Sequence, residues 1–242
     1  MSIITLSPEM RQLIAGGELW DAETPNSAYR GRINNSRLFW QSGTPTLTKG
    51  KIGNAYTFPG GTNSYLSIAR DNVLWLPISG TLSFWWYIDF SNGWATTNSV
   101  TAIDFGGHGQ TLIRREANPN RINLRNQTSS TGHLTPNGTF PAVTGWSHIV
   151  VQWNGSSIFI WINGVKYTAT GTFPGFDSSL MTANARIGSP GIPCDHKVEQ
   201  LALFPGQILS DSNVLHLYNS GNGRAWGIHR AIPQDFLSIQ IG

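Results

Sequence analysis

Thirteen acidic residues, six histidines and one cysteine are the whole supply of side chains for acid–base, nucleophilic or metal chemistry in this chain. Hydrolysis of a glycosidic bond needs two carboxylates flanking the bond, one to protonate the leaving oxygen and one to act as nucleophile or base. Asp89 in YIDF, Asp104 in AIDF and Glu199 in KVEQ each stand alone, so no single strand offers two inward carboxylates. No Gly-x-Ser-x-Gly turn exists to raise a nucleophilic serine, and the histidines sit in unrelated contexts. Cys194-Asp195-His196 has the right types for a transition metal, but three consecutive residues seldom converge on one ion. Asp104, Asp177 and Asp195 are the candidates for calcium, and no two of them are close in sequence. The expectation is no catalytic set, no metal site and no cofactor.

What remains is chemistry of contact. Asn154-Gly155 and Asn163-Gly164 are flanked by apolar or β-branched runs, and two-residue Asn-Gly loops favour type I′ hairpin turns. With Trp153 opposite Ser156 and Ile162 opposite Val165, Ile149, Val151 and Trp153 share a core face with Ile158, Ile160, Ile162, Val165 and Tyr167. The opposite face carries the row proposed for contact, His148, Phe159, Trp161 and Lys166, with His148 opposite Trp161 and Trp161 opposite Lys166. A face so rich in aromatics is either covered, by the N-terminal segment or a second layer, or meets a partner. In RINLRNQ, Ile122 and Leu124 alternate with Arg121 and Arg125, which makes those two arginines the second candidate surface.

The elements that must position these residues follow from period-2 patterning. AYTF, SYLSIA, TLSFWWYIDF, VTAIDF, QTLIRRE, RINLRNQ, the meander at 147–170, and late segments at 185–188 and 198–204 read as strands. In TLSFWWYIDF the even positions Leu82, Phe84, Trp86, Ile88 and Phe90 point one way. Two short helices are expected. One runs from Ser7 to Ala15, and one from Ser210, its N-cap, to Tyr218, packing through Val214, Leu215, Leu217 and Tyr218. Residues 1–51 read as an N-terminal arm carrying Trp20, Tyr29, Phe39 and Trp40, and 224–242 as a C-terminal arm or added strand.

At 242 residues the chain fits one large sandwich, with charged residues at only 12%. Its surface is therefore polar but sparsely charged. A net charge of +3, from scattered Lys and Arg, is too mild to argue for nucleic acid. No stretch of about 18 apolar residues could span a bilayer, and MSIITLSPEMRQLIAGG lacks the basic and apolar regions of a signal peptide. The expectation is synthesis in a cytoplasm and no membrane partner. Four Asn-x-Ser/Thr sites, at Asn34, Asn126, Asn137 and Asn154, are by-products of Asn-rich turns.

Three of these stretches also carry a family resemblance. G-W-S-H-I-V-V-x-W-N-G followed by I-x-I-W-I-N-G-V resembles the signature of laminin-G-like domains of the concanavalin A-like lectin/glucanase superfamily. TLSFWWYIDF is similar to the family's early core strand, and KVEQLALFPGQILSDSNVLHLY to its closing strand and short helix. The resemblance covers residues 52–223. It implies an all-β jelly-roll sandwich with flanking arms, and its glucanase members imply an E-x-D-x-(x)-E carboxylate motif that this chain lacks. It alone implies calcium near the rim. The chain is most similar to stand-alone versions in phage virion proteins, which implies a non-enzymatic structural part of a phage head or tail. The implied partners are other virion subunits and further copies of itself, with adhesion to surface glycans as an added role. The alternative is a carbohydrate-binding module with no place in a virion.

Overall fold

A computed structural model describes residues 18–20, 38–42, 45–59, 64–68, 79–89, 100–104, 111–116, 121–126, 133–134, 145–154, 157–169, 184–189 and 195–223. These residues form two antiparallel sheets packed face to face, the all-β sandwich that the period-2 patterning predicts.

The first sheet has the order β13 (Val165–Thr168), β12 (Ile158–Ile162), β11 (Gly145–Trp153), β6 (Gly80–Asp89), β15 (Asp195–Pro205), β4 (Asn54–Phe58) and β3 (Thr46–Lys49). The short β1 (Glu18–Trp20) also pairs with β15. The second has the order β10 (His133–Leu134), β9 (Arg121–Asn126), β8 (Thr111–Glu116), β7 (Val100–Asp104), β14 (Ala185–Ser189), β5 (Ser64–Ile68) and β2 (Leu38–Ser42). Between the sheets lies one core, to which the first sheet gives Tyr56, Leu82, Phe84, Trp86, Ile149, Val151, Trp153 and Ile160. The second gives Leu66, Ile103, Ile122 and Ile187. Residues 18–20, 38–42 and 46–49, expected as parts of an arm, thus supply strands to both sheets. Their short runs bury backbone groups by pairing, and polar composition had hidden that. The expected helix at 7–15 and the segment 224–242 lie outside the described residues.

The meander keeps its faces but changes one register. Ile162 pairs with Val165 as expected, with Asn163 at φ 50° and Gly164 at φ 81°, the two left-handed residues of a tight Asn-Gly turn. Trp153, however, pairs with Ile158 and not Ser156, so four residues connect β11 and β12. Asn154 closes this loop from both sides: its N–H donates to the Ser157 carbonyl at 3.2 Å, and its Oδ1 accepts the Ser157 N–H at 2.9 Å. A shift of two residues leaves every side chain on its own face while exchanging its neighbours. Val150, not His148, therefore lies opposite Trp161. Val165 shares the core face by register, yet at the sheet edge it is 52% exposed.

β15 changes phase in mid-strand. Val198 faces the core and Glu199 faces out, and beyond the bulge Leu201 and Leu203 face the core while Ala202 and Phe204 face out. The extra residue is Gln200, at φ 54°.

Candidate functional site

The outward face of the first sheet divides into a covered half and an open half. Covering begins with α1 (Asp211–Tyr218), whose N-cap Ser210 accepts the Asn213 N–H at 3.2 Å. Val214 and Leu217 are buried from it against Val150, Trp161, Ala202, Phe204 and Leu209. Leu215, expected among the packing residues, is instead 48% exposed. The helix crosses so close to the Asn163-Gly164 turn that a Cβ on Gly164 would meet the Tyr218 ring.

Beneath α1 the side chains of Trp161 and Gln152 bond in series. Trp161 Nε1 donates to Gln152 Oε1 at 2.8 Å, and Gln152 Nε2 donates to the Leu209 carbonyl at 2.7 Å. His148 lies between aromatic rings, 5.0 Å from Trp85 and 6.0 Å from Tyr218, and its Nε2 is 3.0 Å from Ser83 Oγ. Burial holds its pKa down at about 3, so the ring is neutral. Next to Trp85, a second cover is fastened. The Glu199 carboxylate, fully buried, accepts the N–H groups of Lys51, Ile52 and Gly53 at 2.6, 2.9 and 2.6 Å. Burial pushes its pKa up, against the downward pull of those donors and of Lys51. A Cβ on Gly50 would run into this carboxylate and force it to shift.

Of the residues expected to make contact on this face, His148 and Trp161 are thus 2% and 3% exposed, under the chain's own helix. Val214 and Leu217 of α1 pack with Trp161, and Tyr218 of α1 stacks on His148. Phe159 and Lys166 are brought together with Trp161: the Lys166 ammonium lies 4.5 Å from the Phe159 ring centre and 5.2 Å from that of Trp161, and 2.8 Å from Asp211 Oδ1 on α1. Arg121 and Arg125 belong to β9 in the other sheet, opposite Glu116 and Leu112, and do not join this group.

The open half is a row that crosses five strands at one level. Trp146 of β11 is opposite Tyr87 of β6, Tyr87 opposite Lys197 of β15, Lys197 opposite Thr57 of β4, and Thr57 opposite Thr46 of β3. All five are partly or fully exposed. The Tyr87 and Trp146 rings are 5.5 Å apart and tilted by 54°, and the Lys197 ammonium is 5.4 Å from the Tyr87 ring centre. Thr57 and Thr48 share a hydroxyl hydrogen bond of 2.6 Å. Lys51 rises beside the row, 5.2 Å from the Trp85 ring centre. One level further on, the register sets Asp89 opposite Asp195. Sequence reading missed this row because its members are spread from residue 46 to residue 197, and only strand order brings them together. Among the described residues no three of His, Cys, Asp and Glu gather where they could hold a metal ion, so the calcium implied by resemblance has no ligand set there.

Residues 60–206, more than half of the chain, match the family model Laminin_G_3, of the concanavalin A-like lectin/glucanases superfamily. The chain belongs to this family. Among curated proteins none matches this Laminin_G_3 chain in sequence. Solved structures show its jelly-roll, lectin-like fold widely shared. The binding domain of Paraclostridial Mosquitocidal Protein 1 superposes with a TM-score of 0.65 at 15% identity, over 85% of this chain and 52% of that one. The binding domain of Botulinum Neurotoxin DC, in complex with SialylT, gives 0.62 at 14% identity, over 84% and 50%. This Laminin_G_3 chain thus spans about half the length of either toxin domain. Domain 4 of a GH43 extracellular arabinanase from Geobacillus stearothermophilus, in complex with arabinotriose, gives 0.60 at 16% identity, over 86% of this chain and 97% of that domain.

Proposed function

We propose that the chain is a carbohydrate-binding module without catalytic activity, and that the open row is its sugar-binding surface. The observation that carries this reading is the placing of Trp146, Tyr87 and Lys197 side by side on an accessible sheet face. Aromatic rings offer apolar faces to the C–H faces of sugars, while a lysine and threonine hydroxyls supply donors and acceptors for sugar hydroxyls. Two relatives in fold, solved with SialylT and with arabinotriose, support it. A glycan array probed with the wild-type protein and with Trp146→Ala tests the reading: signal is expected from the first and lost in the second. Equal signal from both would remove the row from the site.

Resemblance to stand-alone laminin-G-like virion proteins supports a more specific place, as a head decoration or tail component of a phage particle, in contact with neighbouring subunits and further copies of itself. Purified particles should then contain the chain at a fixed copy number by quantitative mass spectrometry, and its absence from them would end that proposal.

A second reading, glycoside hydrolysis, is favoured by one observation, the facing of Asp89 and Asp195 across β6 and β15. Release of reducing ends from a bound glycan, abolished by Asp89→Asn, would establish it in place of the non-enzymatic reading.

A further inference from the structure

We infer that the open row takes a single soluble glycan chain laid across the strands, and neither one terminal sugar nor the flat surface of a crystalline polysaccharide. This rests on the carbohydrate-binding reading and adds to it the form of the ligand.

Length comes first. Trp146, Tyr87, Lys197, Thr57 and Thr46 stand on five consecutive strands, β11, β6, β15, β4 and β3. Four steps of about 4.8 Å give a strip of roughly 19 Å, and one sugar unit lengthens a glycan by about one such step, so the strip suits about four units. A binding site for a terminal sugar would enclose it. Among the described residues a wall stands along one long side, where the 50–53 turn is tied to Glu199 and where Tyr218 lies over Trp85, ring centres 6.2 Å apart. Such a ledge guides a chain and does not cap its end.

The chemistry changes along the strip. At the Trp146 end two aromatic rings favour stacking, and at the Thr46 end hydroxyls favour hydrogen bonds. Lys197 stands at the middle, on a four-carbon stem that lets its ammonium leave the Tyr87 face for a ligand oxygen. A ligand that satisfies all of this must reach from one end to the other.

Tilt supplies the last restriction. The rings of Trp146 and Tyr87 differ by 54°, in a sheet whose strands themselves rotate one against the next. Successive sugars can lie flat on both rings only if the chain turns between them. Single chains in solution turn freely, whereas chains packed in a crystalline surface hold their sugar faces coplanar.

Isothermal titration with xylo-, arabino- and malto-oligosaccharides of one to six units, together with retention on microcrystalline cellulose, tests the inference. In at least one series affinity should rise by about tenfold or more from one to four units and change by less than about twofold from four to six. Trp146→Ala should weaken the four-unit ligand by about tenfold while lowering the melting temperature by no more than about 2–4 °C, and microcrystalline cellulose should retain nothing. A monosaccharide that binds as tightly as the four-unit ligand, or retention on cellulose, would overturn the inference and leave the carbohydrate-binding reading in place. Length-dependent binding that Trp146→Ala does not weaken would likewise overturn it, by placing the glycan elsewhere. No binding in any series would overturn both.

Discussion

Trp161 and Trp146 stand on the same outward face of the same sheet, on adjacent strands, yet one is 3% exposed and the other lies partly open. Under α1 each polar atom of the Trp161–Gln152–Leu209 chain has its partner within the molecule. In the open row two aromatic rings, a lysine and two threonines lie partly or fully exposed, with Thr57 bonded to Thr48 and Lys197 over the Tyr87 ring. Residue type and sheet face are shared by the two regions, so neither decides which tryptophan is structural. Among the described residues, the turn-and-helix segment 205–218 covers Trp161 and leaves Trp146 partly open.

Ile160→Asp acts on the core face behind both tryptophans and should have the largest effect. An unpaired charge among Ile149, Val151 and Ile187 in the core should prevent folding, read as loss of a cooperative thermal transition. A soluble Ile160→Asp protein that melts cooperatively would mean the faces are reversed. Trp161→Ala against Trp146→Ala is the direct contrast. The first removes a buried aromatic and strands Gln152, with an expected loss of about 3–5 kcal/mol, while the second should stay within about 0.5–1 kcal/mol by denaturant titration.

Acid should act on the covered half through His148. The folded pKa of His148 is lowered by burial to about 3 from 6.5, so protons bind the unfolded chain more readily. The stability tied to its neutral ring is complete above pH 6.5 and is lost progressively as pH falls from there toward 3. Melting temperature should drop over that window in the wild-type protein and drop less in His148→Gln, while a Tyr87→Ala protein should follow the wild-type slope. Lys166→Ala sits at the border of the two halves. Its pair with Asp211 has side chains 35% and 61% exposed, so an effect of about 0.2–1 kcal/mol is expected, shrinking in high salt.

The Asn163-Gly164 turn and the Ser210 cap are local signals, and the structure bears out both. Leu82, Phe84 and Trp86 lie in the core as alternation predicts. The first hairpin shows where a local signal ends. Asn-Gly fixes a turn, but Asn154 makes a wider loop through Ser157, and only cross-strand packing selects it. Parity protected the core assignment from that error of two. The bulge at Gln200 is another case, since no rule of alternation places Val198 and Leu201 on one face. The open row was not legible at all, because its neighbours are set by strand order across the sheet and not by spacing along the chain.

The Glu199 carboxylate joins residues 146 to 148 positions apart in the chain. Such a tie can close only after β15 and the 50–53 turn have been brought together by the assembled sheet, late in folding. Its contribution therefore falls on the lifetime of the folded state and not on the speed with which that state is reached. Glu199→Gln should unfold faster in stopped-flow experiments while refolding at the wild-type rate. What looks like a static clasp on the sheet is, for the molecule in time, a brake on its opening.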